Sequence, residues 1–330
     1  MADIHLTLAA KDYDHFQDLK TGDVKAEGIE LTCLTLYPTD IFHRQLSFGE
    51  FEVSELSLCK HASMIADGKT DFVGLPVFPL RMFRQSAFYV RRDSPIKQAK
   101  DLIGRRCGVP EWAQTATVYV RGWLEHHAGV PLSSIEWVQA GANEAGRAEK
   151  VPLSLPKGLK YRAAADRSLN DMLLAGDIDC MISATPPKGF EIRDSKLARL
   201  FPDVRTAEEQ YFRETGVLPI MHTVVIRKDI HQQHPWAAAN LFAAFEQAKL
   251  RSLERLAQRS PRYPLMWGPD YVAETGKLLF GDGEYWPYGV EPNRKTLEAF
   301  LTYCHEQGIC SRKIEPEELF APQVLSRVKH

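Results

Sequence analysis

The chain has 330 residues, room for two domains at ~100–200 residues each and for a core that needs no covalent staples. Hydrophobic residues make up 44% and charged residues 25%, the balance of a folded chain, which excludes disordered, collagen-like and coiled-coil architectures. With 41 Lys and Arg against 43 Asp and Glu the net charge is −2, so no overall field draws the chain to nucleic acid, and no apolar run approaches the ~18 residues of a membrane span.

In chain order, the opening MADIHLTLAAKDYDH has neither the basic start nor the ~7–15-residue apolar run of a secretory signal, so a cytoplasmic protein is expected. His5–Ala9 reads as a first strand. Thr39–Ser47 (TDIFHRQLS) has helical spacing with Asp40 as N-cap. Glu52–Leu58 alternates as a strand, Lys60–Gly68 is helical, and Phe72–Pro76 is a short buried strand. Strands are expected again at Ala87–Arg91, Arg106–Val109, from Glu136, at Asp179–Ser183 and at His222–Arg227. Helices are expected at Ala99–Gly104, from Pro110 to Ala128, at Asp166–Gly176, Pro235–Arg255 and Asn293–Gly308. The charged, Gly- and Pro-rich stretch Gly141–Lys160 reads as a loop or flap.

This rhythm predicts an α/β fold with largely parallel sheet. The return of a strand and a long helix after residue 221 predicts two lobes, 1–88 with 222–330 and an inserted 89–221, with a ligand cleft between them. The six cysteines are scattered without a CxxC pair and read as buried free thiols. No HExxH or HxH occurs, and the pairs His126–His127 and His231–His234 lack metal-ligand context, so no metal site is expected.

Three stretches, SAFYVRRDSPIKQAKDLIGRRCGVP, LLAGDIDCMIS and HTVVIRKDIHQQHPWAAANLFAAFEQAK, resemble the type II periplasmic-binding-protein fold. More specifically, the chain resembles the 4,5-dihydroxyphthalate decarboxylase family. The segments are LYPTDIFHRQL, FEVSELSL, GLPVFPLRMFRQSAFYV, GVPEWAQTATVYVRG, TGVLPIMHTVVIRKDI and WPYGVEPNRKTLEAFLTYCHEQG, which cover most of the chain in order. The resemblance implies loss of one carboxylate from a dihydroxylated phthalate, without an organic cofactor. A solute-binding protein for an aromatic carboxylate is the competing reading, because the fold hosts both.

A dianionic aromatic dicarboxylate needs cations, and arginine supplies a bidentate fork. Arg81 and Arg84, in PLRMFRQ just past a strand, are the first candidates, with Arg44 near a helix N-terminus as a third. Loss of CO₂ proceeds through protonation of the ring carbon that bears the carboxylate, so the site needs an acid that titrates near the working pH. His222, at the start of the strand returning between the lobes, is the leading candidate, His43 the second, and Glu111 a hydroxyl acceptor at the second lobe's mouth. Glu55, acidic in a buried strand, requires a partner, expected from Arg81 or Arg84. Ser57, Thr115 and Ser183 are candidate hydrogen-bond donors. Trp286 and Tyr288 are expected to wall an aromatic ligand, with Asn293 a ligand or a helix N-cap. Apolar helix faces suggest a homo-oligomer.

Overall fold

A computed structural model describes residues 3–258 and 265–325. The first part of the chain runs β1 (Ile4–Ala10), α1 (Gln17–Thr21), β2 (Ile29–Thr35), α2 (Pro38–Phe48), β3 (Val53–Ser57), α3 (Leu58–Ala66) and β4 (Phe72–Leu75). The middle part continues with β5 (Phe88–Arg91), β6 (Arg106–Val109), α4 (Thr115–His126), β7 (Glu136–Gln139), β8 (Lys160–Ala163), α5 (Leu169–Ala175), β9 (Cys180–Ile182), β10 (Leu197–Arg199) and α6 (Val204–Thr215). The last part contains β11 (His222–Arg227), α7 (Lys228–Gln233), α8 (Ala237–Ala257), α9 (Gly268–Phe280) and α10 (Arg294–Glu306).

The strands form two sheets, β2-β1-β3-β11-β4 and β10-β5-β9-β6-β7-β8. The first takes strands from both ends of the chain and the second only from its middle, which gives a two-lobed α/β fold. Both sheets are largely parallel, each with one reversed strand. Strand β11 runs antiparallel to β3 and β4, and β5 runs antiparallel to β9 and β10. Each reversed strand lies where the chain crosses between lobes, so the crossing itself sets its direction.

The central strands are buried on both faces: β11 buries the largely apolar run Thr223 to Ile226, and β3 is buried at every position although VSELS carries two serines and a glutamate. Some elements differ from the sequence expectation. Helix α4 starts at Thr115 rather than Pro110, because Glu111–Gln114 form a turn that drives the Trp112 indole into the core, where its N–H donates to the Gln307 carbonyl at 2.8 Å. Helix α2 is capped at Tyr37, with Pro38 in its first turn, and Asp40 lies inside that turn. The 141–160 stretch carries no element before β8 and is tied down by hydrogen bonds of Gln139, Gly146 and Glu149.

One hydrophobic cluster runs through both lobes. Helix α4 of the middle segment packs on α10 of the last segment so closely that a Cβ on Gly122 would lie 2.3 Å from the Tyr303 ring. Gly122 is therefore required by the Tyr303 ring seated against α4 rather than by its dihedral angles.

Candidate active site

Strand β11 lies beside β3 with His222 opposite Ser57 and Val224 opposite Glu55. The pleat puts Glu55, Ser57, His222 and Val224 on one face, and Glu55 and His222 are diagonal neighbours there. Their side chains meet: His222 Nδ1 lies 2.5 Å from Glu55 Oε1. Glu55 is fully buried and accepts two more hydrogen bonds, from the Tyr13 hydroxyl at 2.5 Å and the Lys11 amide at 2.9 Å. Burial pushes the Glu55 carboxyl up. The charge and hydrogen bond of His222, with those of Tyr13 and Lys11, outweigh that push and hold it below the ordinary carboxylate range. With Nδ1 bonded to the carboxylate, His222 Nε2 has no hydrogen-bond partner among the described residues, and the side chain keeps 14% exposure. The Phe42 ring of α2 meets the imidazole edge-on, with centroids 5.0 Å apart.

The lobes touch beside this pair. Ser57 Oγ, at the N-terminus of α3, lies 3.0 Å from Thr115 Oγ1 at the N-terminus of α4, and Thr115 also accepts the Cys59 amide at 3.2 Å. Two helix N-termini thus converge at the carboxyl ends of strands from opposite lobes, a place suited to negative charge. One residue further along α3, Lys60 bonds Glu111 at 2.8 Å across the lobes, and Arg147 reaches the other oxygen of Glu111 at 2.5 and 2.8 Å. Burial pushes the Glu111 carboxyl up, but Lys60 and Arg147 together hold it below its ordinary value.

Arg81 and Arg84 flank the chain just before His222. Arg81 forms a β-bridge with Ile220, and Arg84 Nε lies 3.2 Å from Met221 Sδ. Both are buried, and neither forms an ion pair among the described residues. Burial draws each guanidinium down to about 10, so both stay charged at neutral pH. Arg81 donates to the Pro287 carbonyl and lies 5.6 Å from the centroid of the Trp286 ring, while Arg81 Nε is buried without a partner. Glu55 therefore takes its partners from His222, Tyr13 and Lys11, not from either arginine, because the adjacent strand β11 brings His222 to the same face of the sheet.

Other sequence candidates lie elsewhere. His43 is exposed beside Phe48, and Arg44 pairs with Glu50 on the surface, because the helical phase of α2 turns Phe42 inward and the next two residues outward. Tyr288 is fully buried under Lys249 Nζ, 4.5 Å from its ring centroid, and walls no cleft. Asn293 Nδ2 donates to the Pro287 and Gly289 carbonyls. It braces that loop and makes no capping bond to α10. Trp286 donates from its indole to the Phe78 carbonyl at 3.0 Å. Ser183 is buried at the end of β9, where its hydroxyl accepts the Thr185 amide.

Sequence reasoning passed over Tyr13, His15, Lys60 and Arg147. The signal for the first two was the polar cluster KDYDH at the carboxyl end of β1, and for Lys60 a lysine inside the apolar helix LCKHASMIA. His15 lies 5.3 Å from the Tyr13 ring, and burial pulls its imidazole down to about 4 against the opposing charge of Glu55. No group of His, Cys, Asp and Glu among the described residues could hold a metal ion.

Two sheets, the first built from both ends of the chain and the second from its middle, define a periplasmic-binding-protein-like α/β fold. The aliphatic sulphonate binding protein SsuA of Escherichia coli superposes with a TM-score of 0.52 at 12% identity over 98% of this chain and 99% of its own. A DSZB mutant in complex with biphenyl-2-sulfinic acid does so at 0.50 and 15% identity, over 98% and 97%. No family model matches the chain. The 4,5-dihydroxyphthalate decarboxylase of Comamonas testosteroni is 35% identical over 331 residues, covering all of both chains. That of Pseudomonas putida is 34% identical over 214 residues, 64% of this chain and 83% of its own. The chain belongs to the 4,5-dihydroxyphthalate decarboxylase family.

Proposed function

We propose that the protein converts 4,5-dihydroxyphthalate to 3,4-dihydroxybenzoate and CO₂, with His222 as the proton donor. The observation that carries this reading is the Glu55–His222 pair, buried on one side and open at Nε2 on the other. Glu55 fixes the ring through Nδ1, and Nε2 hands its proton to the ring carbon bearing the leaving carboxylate. The carbon–carbon bond then breaks, its electron pair returns to the ring, CO₂ departs, and water restores the proton to His222. One proton enters and one CO₂ leaves, so the reaction needs no oxidant or reductant. A hydroxyl para to the departing group supplies electron density for the protonation. The charge of Arg81, which has no acidic partner among the described residues, and that of Arg84, which faces Glu208, lie beside the same strand and support binding of a dianion.

Family membership agrees with this reading. Exposed Leu265, Met266, Trp267 and Tyr271 at the start of α9 support a homo-oligomer, which light scattering would measure. The test of function is CO₂ release and product formation from 4,5-dihydroxyphthalate by chelator-treated protein. Turnover that falls by roughly 10²–10⁴-fold in His222→Gln agrees with the proposal. Saturable binding without turnover by the wild type would favour a solute-binding role and end it.

A further inference from the structure

The 141–150 loop presents two cations that the Glu55–His222 pair does not use. A cavity of ≈ 610 Å³ is lined by Thr39 from the first turn of α2 and, across from it, by Gly141, Asn143, Arg147, Lys150 and Thr185 of the other lobe. Phe42, three residues along α2 from Thr39, packs on His222, and the Ser57–Thr115 and Lys60–Glu111–Arg147 contacts run from the end of β3, opposite His222, to the same loop.

The charges around it do not balance. Glu111 is the only carboxylate that Arg147 and Lys150 pair with among the described residues, and it already has Lys60. Those two side chains are 1% and 6% exposed, a buried pair complete in itself. Arg147 and Lys150, 33% and 43% exposed, add two further positive charges around the same carboxylate, Lys150 at 4.0 Å. Of the other acids of the lining, Glu149 Oε2 accepts the Trp112 and Ala113 amides while its charge acts on Lys150, and Glu144 pairs with Lys188 at 3.7 Å, so the four cations Lys60, Arg147, Lys150 and Lys188 stand against the three carboxylates of Glu111, Glu144 and Glu149. Arg147 spends Nε and one Nη on Glu111 and keeps its other edge, which suits a second carboxylate.

The loop is also preset. Gln139 Nε2 donates to the Arg147 carbonyl at 2.7 Å, and the Gly146 amide donates to Ala165 at 2.9 Å. At Gly141 a Cβ would come within 1.9 Å of the Glu144 carbonyl, so only glycine lets the loop fold back. Little ordering remains for the ligand to impose.

We propose that Arg147 and Lys150 bind the carboxylate that the substrate keeps, leaving its neighbour on the ring to face His222. This subsite rests on the decarboxylase reading for its substrate but is testable without turnover. Phthalate, with two carboxylates and no hydroxyl, is titrated calorimetrically into the full chain. Arg147→Met is expected to weaken phthalate binding by about 30-fold or more and Lys150→Met by about 10-fold. Benzoate, with a single carboxylate, should bind the wild type more weakly than phthalate does. Arg147→Lys, which keeps the charge and loses the fork, should recover part of the loss and guards against a variant that fails to fold.

Phthalate affinity within about 2-fold of wild type in the Arg147→Met, Lys150→Met double variant, whose fold circular dichroism verifies, overturns the inference. So does a KM for 4,5-dihydroxyphthalate that neither substitution moves in an active enzyme. Arg147-dependent phthalate binding by a chain that releases no CO₂ would retain the subsite and remove the decarboxylase reading.

Discussion

Replacing Glu55 with glutamine keeps the shape of the side chain and removes its charge. The carboxylate now accepts from His222 Nδ1 and the Tyr13 hydroxyl on one oxygen and from the Lys11 amide on the other. An amide has one acceptor and one donor end, so one of those partners must face an N–H. If the nitrogen turns toward Lys11, two donors oppose each other and the imidazole keeps only a neutral acceptor. If it turns toward His222, the ring proton must move to Nε2 with Nδ1 as acceptor. A hydrogen bond to a charged group contributes ~1.5–3 kcal/mol against ~0.5–1.5 for a neutral one, and an opposed buried donor costs ~1–3 more. We expect a net loss of about 2–3 kcal/mol from the transition state, roughly 30- to 150-fold in kcat, with KM little changed. Chromatographic assay of 3,4-dihydroxybenzoate at saturating 4,5-dihydroxyphthalate measures it. Because Glu55 acts through His222, the Glu55→Gln, His222→Gln double variant should be no slower than His222→Gln alone. Wild-type kcat in Glu55→Gln, or losses that multiply in the double variant, would refute the reasoning.

Lys60→Met removes one of the two closest partners of buried Glu111 and leaves Arg147. It should cost about 2–3 kcal/mol in urea unfolding, below the ~3–5 of a fully broken buried pair, and weaken phthalate binding by recruiting Arg147 to Glu111. No change in either measurement would show that the pair is not coupled to the cavity. Gly122→Ala drives a methyl into the Tyr303 ring and should destabilise by ~1–3 kcal/mol in the same assay; unchanged stability would mean that α4 and α10 separate at little cost. His61 is buried, bonded to the Leu319 carbonyl, and burial draws it down to about 4. Its folded value lies below its unfolded one of ~6.5, so the unfolded chain binds the extra proton between them. Stability is then fully present above ~6.5 and falls by about 1.4 kcal/mol per pH unit toward 4 for this group. His61→Gln should flatten the stability profile by that slope, and parallel profiles would count against a buried neutral imidazole.

How much was legible depended on whether a residue's surroundings were local. The strands VSELS and HTVVIR announce themselves, the first by its alternation of apolar and polar residues and the second by its β-branched apolar run. The acid inside VSELS was recognisable as needing a partner. The identity of that partner was not, since it arrives from a strand 167 residues away. Strands β8 and β10 are edge strands of four and three residues, too short for an alternation to register, while α6 is amphipathic and its helical period was a signal passed over. Strand β2, IELTCLT, does alternate, and its period of two was a signal passed over. His43 and Arg44 went astray by helical phase alone: a shift of one residue, ~100°, separates a ring on His222 from a side chain in solvent. Arg147 lies in an unpatterned loop whose position is set by contacts with Gln139 and Glu111, which no local pattern encodes.

Strand β11 enters the middle of a sheet whose other four strands are complete by residue 75. During synthesis, β3 and β4 therefore wait with facing edges unpaired while nearly 150 residues emerge, long enough at ~5–20 residues per second for the second sheet to form first. Unpaired edges of this kind invite association with other chains, so a nascent or truncated chain ending before His222 is exposed to aggregation in a way the finished protein is not. The same closure brings the His222 imidazole to Glu55, so no chain ending before His222 can carry the assembled pair. Catalytic activity thus serves as a readout of completed folding, and its recovery on refolding should track the pairing of β11 rather than the earlier collapse of either lobe.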